Sequence, residues 1–201
     1  MLKLYSNGTQ PSNPDASRQL ASRIRALRDE RGWTLEVASA HTGLSRSALS
    51  KIERHEMSPT FNALNKLAQG FGVSMSRLLE GKETDETSSV LVTRAGEGSV
   101  HTASQYHLRL LASGLHDTSR LVVVEFTVEA RDMSEFDGWD RHDDENFIYV
   151  LEGPINFHQE GMSEPLTLMP GDSICFDARI GHAFTRHGEA TGRALSVTLP
   201  L

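Results

Sequence analysis

The sequence predicts an α+β protein: five short helices at the N-terminal end, then an antiparallel β-barrel. Three observations predict it. Residues 16–79 carry apolar side chains at helical spacing. From residue 90 the chain is a series of short β-rich runs parted by turn residues. The two halves also carry opposite charge. Residues 16–79 hold ten basic and five acidic side chains, whereas residues 90–201 hold eight basic and seventeen acidic ones. The overall charge of −7 therefore conceals a basic segment of the kind that attracts nucleic acid.

The 201 residues suffice for two small domains. No run approaches the ~18 consecutive apolar residues of a membrane span. Residues 1–15 lack the apolar core of a secretory signal. A lone cysteine, Cys175, excludes an internal disulfide and suits a reducing compartment. A cytoplasmic protein with no membrane partner is the expectation.

Residues 1–15 show no periodicity and read as a tail. Leu20, Ile24 and Leu27 fall at i, i+4 and i+7 and make one stripe of a first helix, which Gly32 ends. Thr34 caps a second helix with Leu35, Ala38, Ser39 and Thr42 on one face, and Gly43 stops it. Ser45 caps a third, turning Ala48, Leu49 and Ile52 inward. Residues 58–60 open a fourth carrying Leu64, Leu67, Ala68 and Phe71, and a short fifth spans 74–79. The polar stretch 80–89 reads as a linker to a second domain at 90–201.

The strands expected there are 121–130, 147–153, 154–161, 166–169, 173–177 and 194–199, with 106–111 as a further candidate. Phe147, Tyr149 and Leu151 alternate with Asn146, Ile148 and Val150, so one set faces the interior and the other packs outward, where a partner copy could cover it. Cys175, between Ile174 and Phe176, reads as a buried, inert thiol.

A short Gly-containing turn between the second and third helices is a helix-turn-helix arrangement. The outer face of the third helix offers Arg46, Ser47, Ser50, Lys51 and Arg54. Small side chains there let the backbone approach base edges, while Arg and Lys reach bases or phosphates. Thr34, Thr42, Ser45, Thr60 and Asn62 stand at helix starts or in the turn, where hydroxyl, amide and backbone N–H groups hold phosphates. Glu53 reads instead as a brace within the bundle, since an anion repels phosphate.

Residues 23–79, with TGLSRSALSKIER at 42–54 and SPT at 58–60, resemble the Cro/cI-type (XRE) helix-turn-helix family. The resemblance implies operator DNA as partner. Leu35 stands where that family often has Gln, and His55 where it usually has Gly. Residues 138–153 and 170–188 resemble the two motifs of the cupin superfamily, which implies a double-stranded β-helix barrel. Metal-binding cupins use two His and a carboxylate from the first motif and a His from the second. By that resemblance the four positions here are Asp140, His142, Asn146 and His182. One carboxylate and two imidazoles remain, so a metal-free pocket and a weak divalent-metal site both stay open.

Joined, the two resemblances imply a transcription regulator whose operator binding answers to a small ligand in the barrel. A homodimer is expected, because one small domain covers too few base pairs. The acidic run at 140–145 reads as a solvated turn, with the mouth of a pocket for an amine or amino-acid-like effector as the alternative. Two further readings stay open: a constitutive DNA-binding protein with a barrel that only dimerises, and a metal-dependent cupin enzyme tethered to DNA.

Overall fold

The computed structural model describes residues 14–80, 90–102, 105–113 and 121–200. The expected tail lies outside the described residues except for its last two, which already belong to the first helix. The expected linker lies outside them except for Glu80, which closes the fifth helix.

The helices are α1 (Pro14–Glu30), α2 (Leu35–Thr42), α3 (Arg46–Glu53), α4 (Phe61–Phe71) and α5 (Met75–Glu80). Their starts follow the local chemistry. Thr34, Ser45 and Thr60 accept the backbone N–H of Val37, Ala48 and Ala63, satisfying donors that a helix start leaves open. Gly43 ends α2 at φ 67°, the left-handed conformation that permits the sharp turn into α3. Ile24, Leu49, Ile52, Leu64, Leu67 and Leu78 are essentially fully buried between the helices. Each contributes about 1.5–3 kcal/mol by leaving water. Helices α2 and α4 meet so closely that a Cβ on Gly70 would stand 2.7 Å from the His41 carbonyl oxygen.

The brace expected of Glu53 is present. Arg28 of α1 grips it with two hydrogen bonds of 2.7 and 2.9 Å, and so ties the first helix to the third. His55 adopts φ 59° just beyond α3, the sole non-glycine with positive φ among the described residues. A side chain there strains the backbone. His55→Gly is expected to raise the unfolding free energy by about 0.5–1 kcal/mol, read as a higher urea midpoint at unchanged slope.

Among its described residues the second half has nine strands: β1 (Val100–Thr102), β2 (Tyr106–Ala112), β3 (Val122–Val128), β4 (Asp144–Glu152), β5 (Ile155–Gln159), β6 (Leu166–Leu168), β7 (Ser173–Asp177), β8 (His182–Arg186) and β9 (Arg193–Pro200). They form a six-stranded sheet, order β1-β2-β3-β9-β4-β7, and a three-stranded one, order β6-β5-β8. Every named pair is antiparallel. Phe126, Val128, Ile148 and Val150 of the larger sheet share one core with Ile155, Phe157 and Phe184 of the smaller.

Alternation along β4 follows the expected pattern. Asn146, Ile148 and Val150 are buried, while Phe147, Tyr149 and Leu151 are exposed. The same two-residue period corrects the reading of Cys175. Ile174 and Phe176 take the partly buried positions of β7, and Cys175 lies exposed opposite Phe147. Its thiol donates to Glu145, whose carboxylate holds the thiol pKa above its usual value.

The two halves touch directly. His101 of β1 is buried with Nε2 2.8 Å from the Pro59 carbonyl oxygen, and the Ser58 hydroxyl donates to the Thr102 carbonyl at 3.4 Å. Leu110, Val122 and Val124 join the apolar cluster of the helices. Among the described residues no helix is long and apolar enough to cross a membrane.

Candidate nucleic-acid interface and barrel pocket

Helix α3 buries Leu49 and Ile52 and turns Arg46, Ser47 and Lys51 to solvent, with Ser50 half-buried beside them. Ser45, Thr34 and Thr60 are exposed at the starts of α3, α2 and α4. These seven residues form the exposed basic and hydroxyl-bearing surface of the domain. Arg46 pairs with Glu36 at 2.6 Å, but both side chains are well exposed, so the pair is worth little and can open. Arg54 is engaged by Glu56 and the Ser50 hydroxyl.

Two residues expected on that surface are elsewhere. Thr42 is buried, and its hydroxyl donates to the Ala38 carbonyl while accepting the Leu44 N–H. A phosphate cannot reach it. Asn62 faces the barrel, where it lines a pocket. The docking of α4 on the second domain sets that position against the barrel residues of the pocket.

The pocket is small, with about 50 Å³ of space open to water-sized molecules. Its apolar walls are Leu108, Val124, Phe126, Ile148 and Phe184. Its polar groups are Asp140, His142, Asn146, His182, Ser196 and Tyr106, together with Asn62 from α4. All four cupin-motif positions thus line one space. Strands position them: Asn146 takes an inward position of β4, His182 opens β8, and Asp140 bridges to His182.

The acidic run at 140–145 divides between two environments, which corrects the reading of it as a wholly solvated turn. Asp143 and Glu145 are exposed, Asp140 lines the pocket, and Asp144 is buried with its carboxylate 2.9 Å from His142 Nδ1. Burial pushes the Asp140 carboxyl up to about 6, against the pull of His142 and Lys66. Burial likewise drives His182 down to about 4, helped by the neighbouring His142, so its imidazole is neutral at pH 7. His182 Nδ1 lies 3.1 Å from the Ile180 carbonyl oxygen, which fixes the proton there and leaves Nε2 as the acceptor. Tyr106 is fully buried, its hydroxyl accepts the Phe184 N–H, and burial raises its pKa, so it remains a phenol.

These groups do not fit a resident metal ion. Asn146 stands at the carboxylate position and its Oδ1 accepts the hydroxyls of Ser196 and Thr198. Among the described residues no three His, Cys, Asp or Glu side chains are grouped to hold a metal. The His142 and His182 rings do meet edge-on, with centroids 5.2 Å apart. Ser196 and Tyr106 were not anticipated. A signal for Ser196 exists: Ala194, Ser196 and Thr198 are the buried set of β9, and polar residues on an inward face mark a pocket.

Comparison with known proteins agrees with both halves of this geometry. Residues 24–78 match the helix-turn-helix family model and residues 125–198 the cupin domain model. The HTH-type transcriptional regulator y4dJ of Sinorhizobium fredii, described as uncharacterized, is 40% identical over 73 residues, 36% of this chain and 92% of that protein. The HTH-type transcriptional regulator SutR of Escherichia coli K12 is 27% identical over 182 residues, 87% of this chain and 91% of that one.

The chain belongs to the helix-turn-helix transcriptional regulators and carries a cupin domain.

Such a regulator of the HTH_3 family from Vibrio cholerae has the same fold, with a TM-score of 0.61 at 21% identity over 94% of this chain and 99% of that one. The hydroxypropylphosphonic acid epoxidase of S. wedmorenis also shares it, with a TM-score of 0.50 at 20% identity over 93% of this chain and 100% of that one. A helix-turn-helix–cupin fold thus serves a regulator and an enzyme alike, and the site residues must separate the two roles.

Proposed function

We propose that this regulator binds operator DNA through α3 as a homodimer, and that a small effector in the barrel pocket sets its affinity. The reading rests on one observation: an exposed basic face on α3 stands in the same chain as a pocket with apolar walls and a polar end. Arg46 is assigned to a base edge. Lys51 and the exposed hydroxyls of Thr34, Ser45, Ser47 and Thr60, with Ser50, are assigned to positioning on phosphates. The pocket is assigned to an amine or amino-acid-like molecule, and the protein to the cytoplasm, where its DNA is.

An enzyme is the weaker reading. Oxygen-activating cupin chemistry needs a held metal with open positions. The ligand set around Asn146 does not supply one.

The test begins by selecting bound duplexes from a random pool with the full chain. Arg46→Ala is expected to lose about 1–3 kcal/mol on the selected duplex and much less on unrelated DNA. Equal loss on every duplex would make Arg46 a phosphate contact. Adding a metabolite extract to the selected complex is expected to change its affinity, and a fixed affinity with every fraction that binds the protein would leave the barrel as a dimerisation module alone.

A further inference from the structure

We propose that the DNA-reading domain itself supplies part of the effector site: helix α4 closes one side of the barrel pocket, and Asn62 is a direct contact for an amine head group. The inference rests on reading this pocket as the effector site.

Asn62 is the second residue of α4, yet it lines a pocket otherwise built from the barrel. Its Oδ1 is buried and has no hydrogen-bond partner among the described residues. An acceptor in that state is costly to the protein alone and is satisfied when a donor arrives. Lys66 lies one turn further along the helix and acts electrostatically on Asp140. Residues 62 and 66, four apart, share one face of α4.

The chemistry of the pocket selects the class of ligand. The Ile180 carbonyl takes the Nδ1 proton of His182, and Asp144 takes that of His142. His182, neutral at pH 7, then keeps Nε2 as an acceptor. With the Asp140 carboxylate and Asn62 Oδ1, the polar end consists mainly of acceptors. Asn146 Nδ2 and the Tyr106 hydroxyl are the donors beside them. An ammonium group has three donors and no acceptor, and its positive charge suits the Asp140 carboxylate, whereas a carboxylate ligand would face acceptors on most sides. Phe126, Ile148 and Phe184 accommodate a short apolar body.

This arrangement gives the effector a short route to DNA. A ligand held by Asn62 touches the helix that directly follows α3 and its turn, and Thr60 at the start of that helix is on the proposed phosphate-binding surface. Its differential contact with α4 in two domain arrangements is what shifts the balance between them.

The test uses the full chain and three matched probes: butylammonium, butanol and butyrate. Butylammonium is expected to raise the melting temperature in a saturable way, and butyrate is not. Asn62→Leu is expected to weaken apparent butylammonium affinity by about tenfold, while Asn62→Asp, which keeps an acceptor, retains it. Isothermal melting of the variants without ligand checks that each is folded. Equal butylammonium affinity in Asn62→Leu and the parent overturns the role of α4. Stronger binding of butyrate, no saturable response to any probe, or a response to Ni²⁺ alone overturns the amine class. Butylammonium binding through Asn62 with no change in affinity for the selected duplex leaves this site standing and removes the ligand-responsive reading instead.

Discussion

Glu53→Ala is expected to weaken operator binding, although it removes a negative charge from the helix proposed to face DNA. Simple charge counting gives the opposite sign, since a more positive α3 attracts phosphate more strongly. The structure shows why the count misleads. Glu53 lies on the inner side of α3, where its carboxylate takes both the Nε and the Nη2 donors of Arg28. The two side chains are only 8% and 14% exposed, and a third Arg28 nitrogen donates to the Trp33 carbonyl. A guanidinium stays protonated with or without its partner, so the Arg28 charge persists when Glu53 is deleted. Removing one member of a buried pair costs up to about 3–5 kcal/mol, a cost reduced here by Asp29, whose Oδ1 lies 2.7 Å from Arg28 Nη1. That is a large part of the ~5–15 kcal/mol that holds a typical domain folded. Urea unfolding followed by Trp33 fluorescence reads the loss, since this indole stacks on His41 at 4.2 Å within the helical domain. The pair Arg28→Met with Glu53→Met is expected to recover most of the stability. Tighter DNA binding by Glu53→Ala at unchanged stability would show that the carboxylate acts only as surface charge.

What the sequence discloses about this protein is what local chemistry decides. Thr34, Ser45 and Thr60 cap their helices because each hydroxyl meets backbone donors of the following turn, within three residues of itself. Gly43 is readable for the same reason. The alternation from Asn146 to Leu151 is likewise carried by adjacent residues. The four cupin-motif positions were legible by resemblance, and they do gather at one pocket. Thr42, Asn62 and Cys175 were misplaced because their surroundings come from distant parts of the chain. Thr42 is enclosed by the close approach of α4 at Gly70. Asn62 has the position in its helix that suits a phosphate contact, and only the docking of α4 on the barrel turns it inward. Cys175 sits in an apolar run, but the register of β7 against β4 sends it outward. The contact between His101 and Pro59 spans 42 residues and left no local trace.

Phe147→Lys is expected to convert the regulator to monomers and to lower its operator affinity by about 10² or more. Phe147 stands in a cross-strand row on the outer face of the larger sheet: Val123 of β3 opposes Val197 of β9, Val197 opposes Phe147, and Phe147 opposes Cys175. Tyr149 and Leu195 form the next row, and Leu151 and Leu199 extend the patch at 40% and 47% exposed. A contiguous apolar face of this kind is unusual on a monomer and marks an interaction surface. Because Phe147 is itself 38% exposed, a lysine there is accommodated by the isolated fold. In a two-fold interface the substitution occurs twice on one self-complementary patch, so two ammonium groups lose water and face like charge together. The cost to DNA binding follows from geometry. In the proposed dimer, paired α3 helices would read half-sites about 34 Å apart, each holding the other near its site, whereas a monomer must bind each half-site alone. Sedimentation equilibrium and duplex titration separate the possibilities. A Phe147→Lys chain that remains dimeric would place the two-fold contact on another face, whereas a monomer with undiminished operator affinity would show that a single α3 suffices.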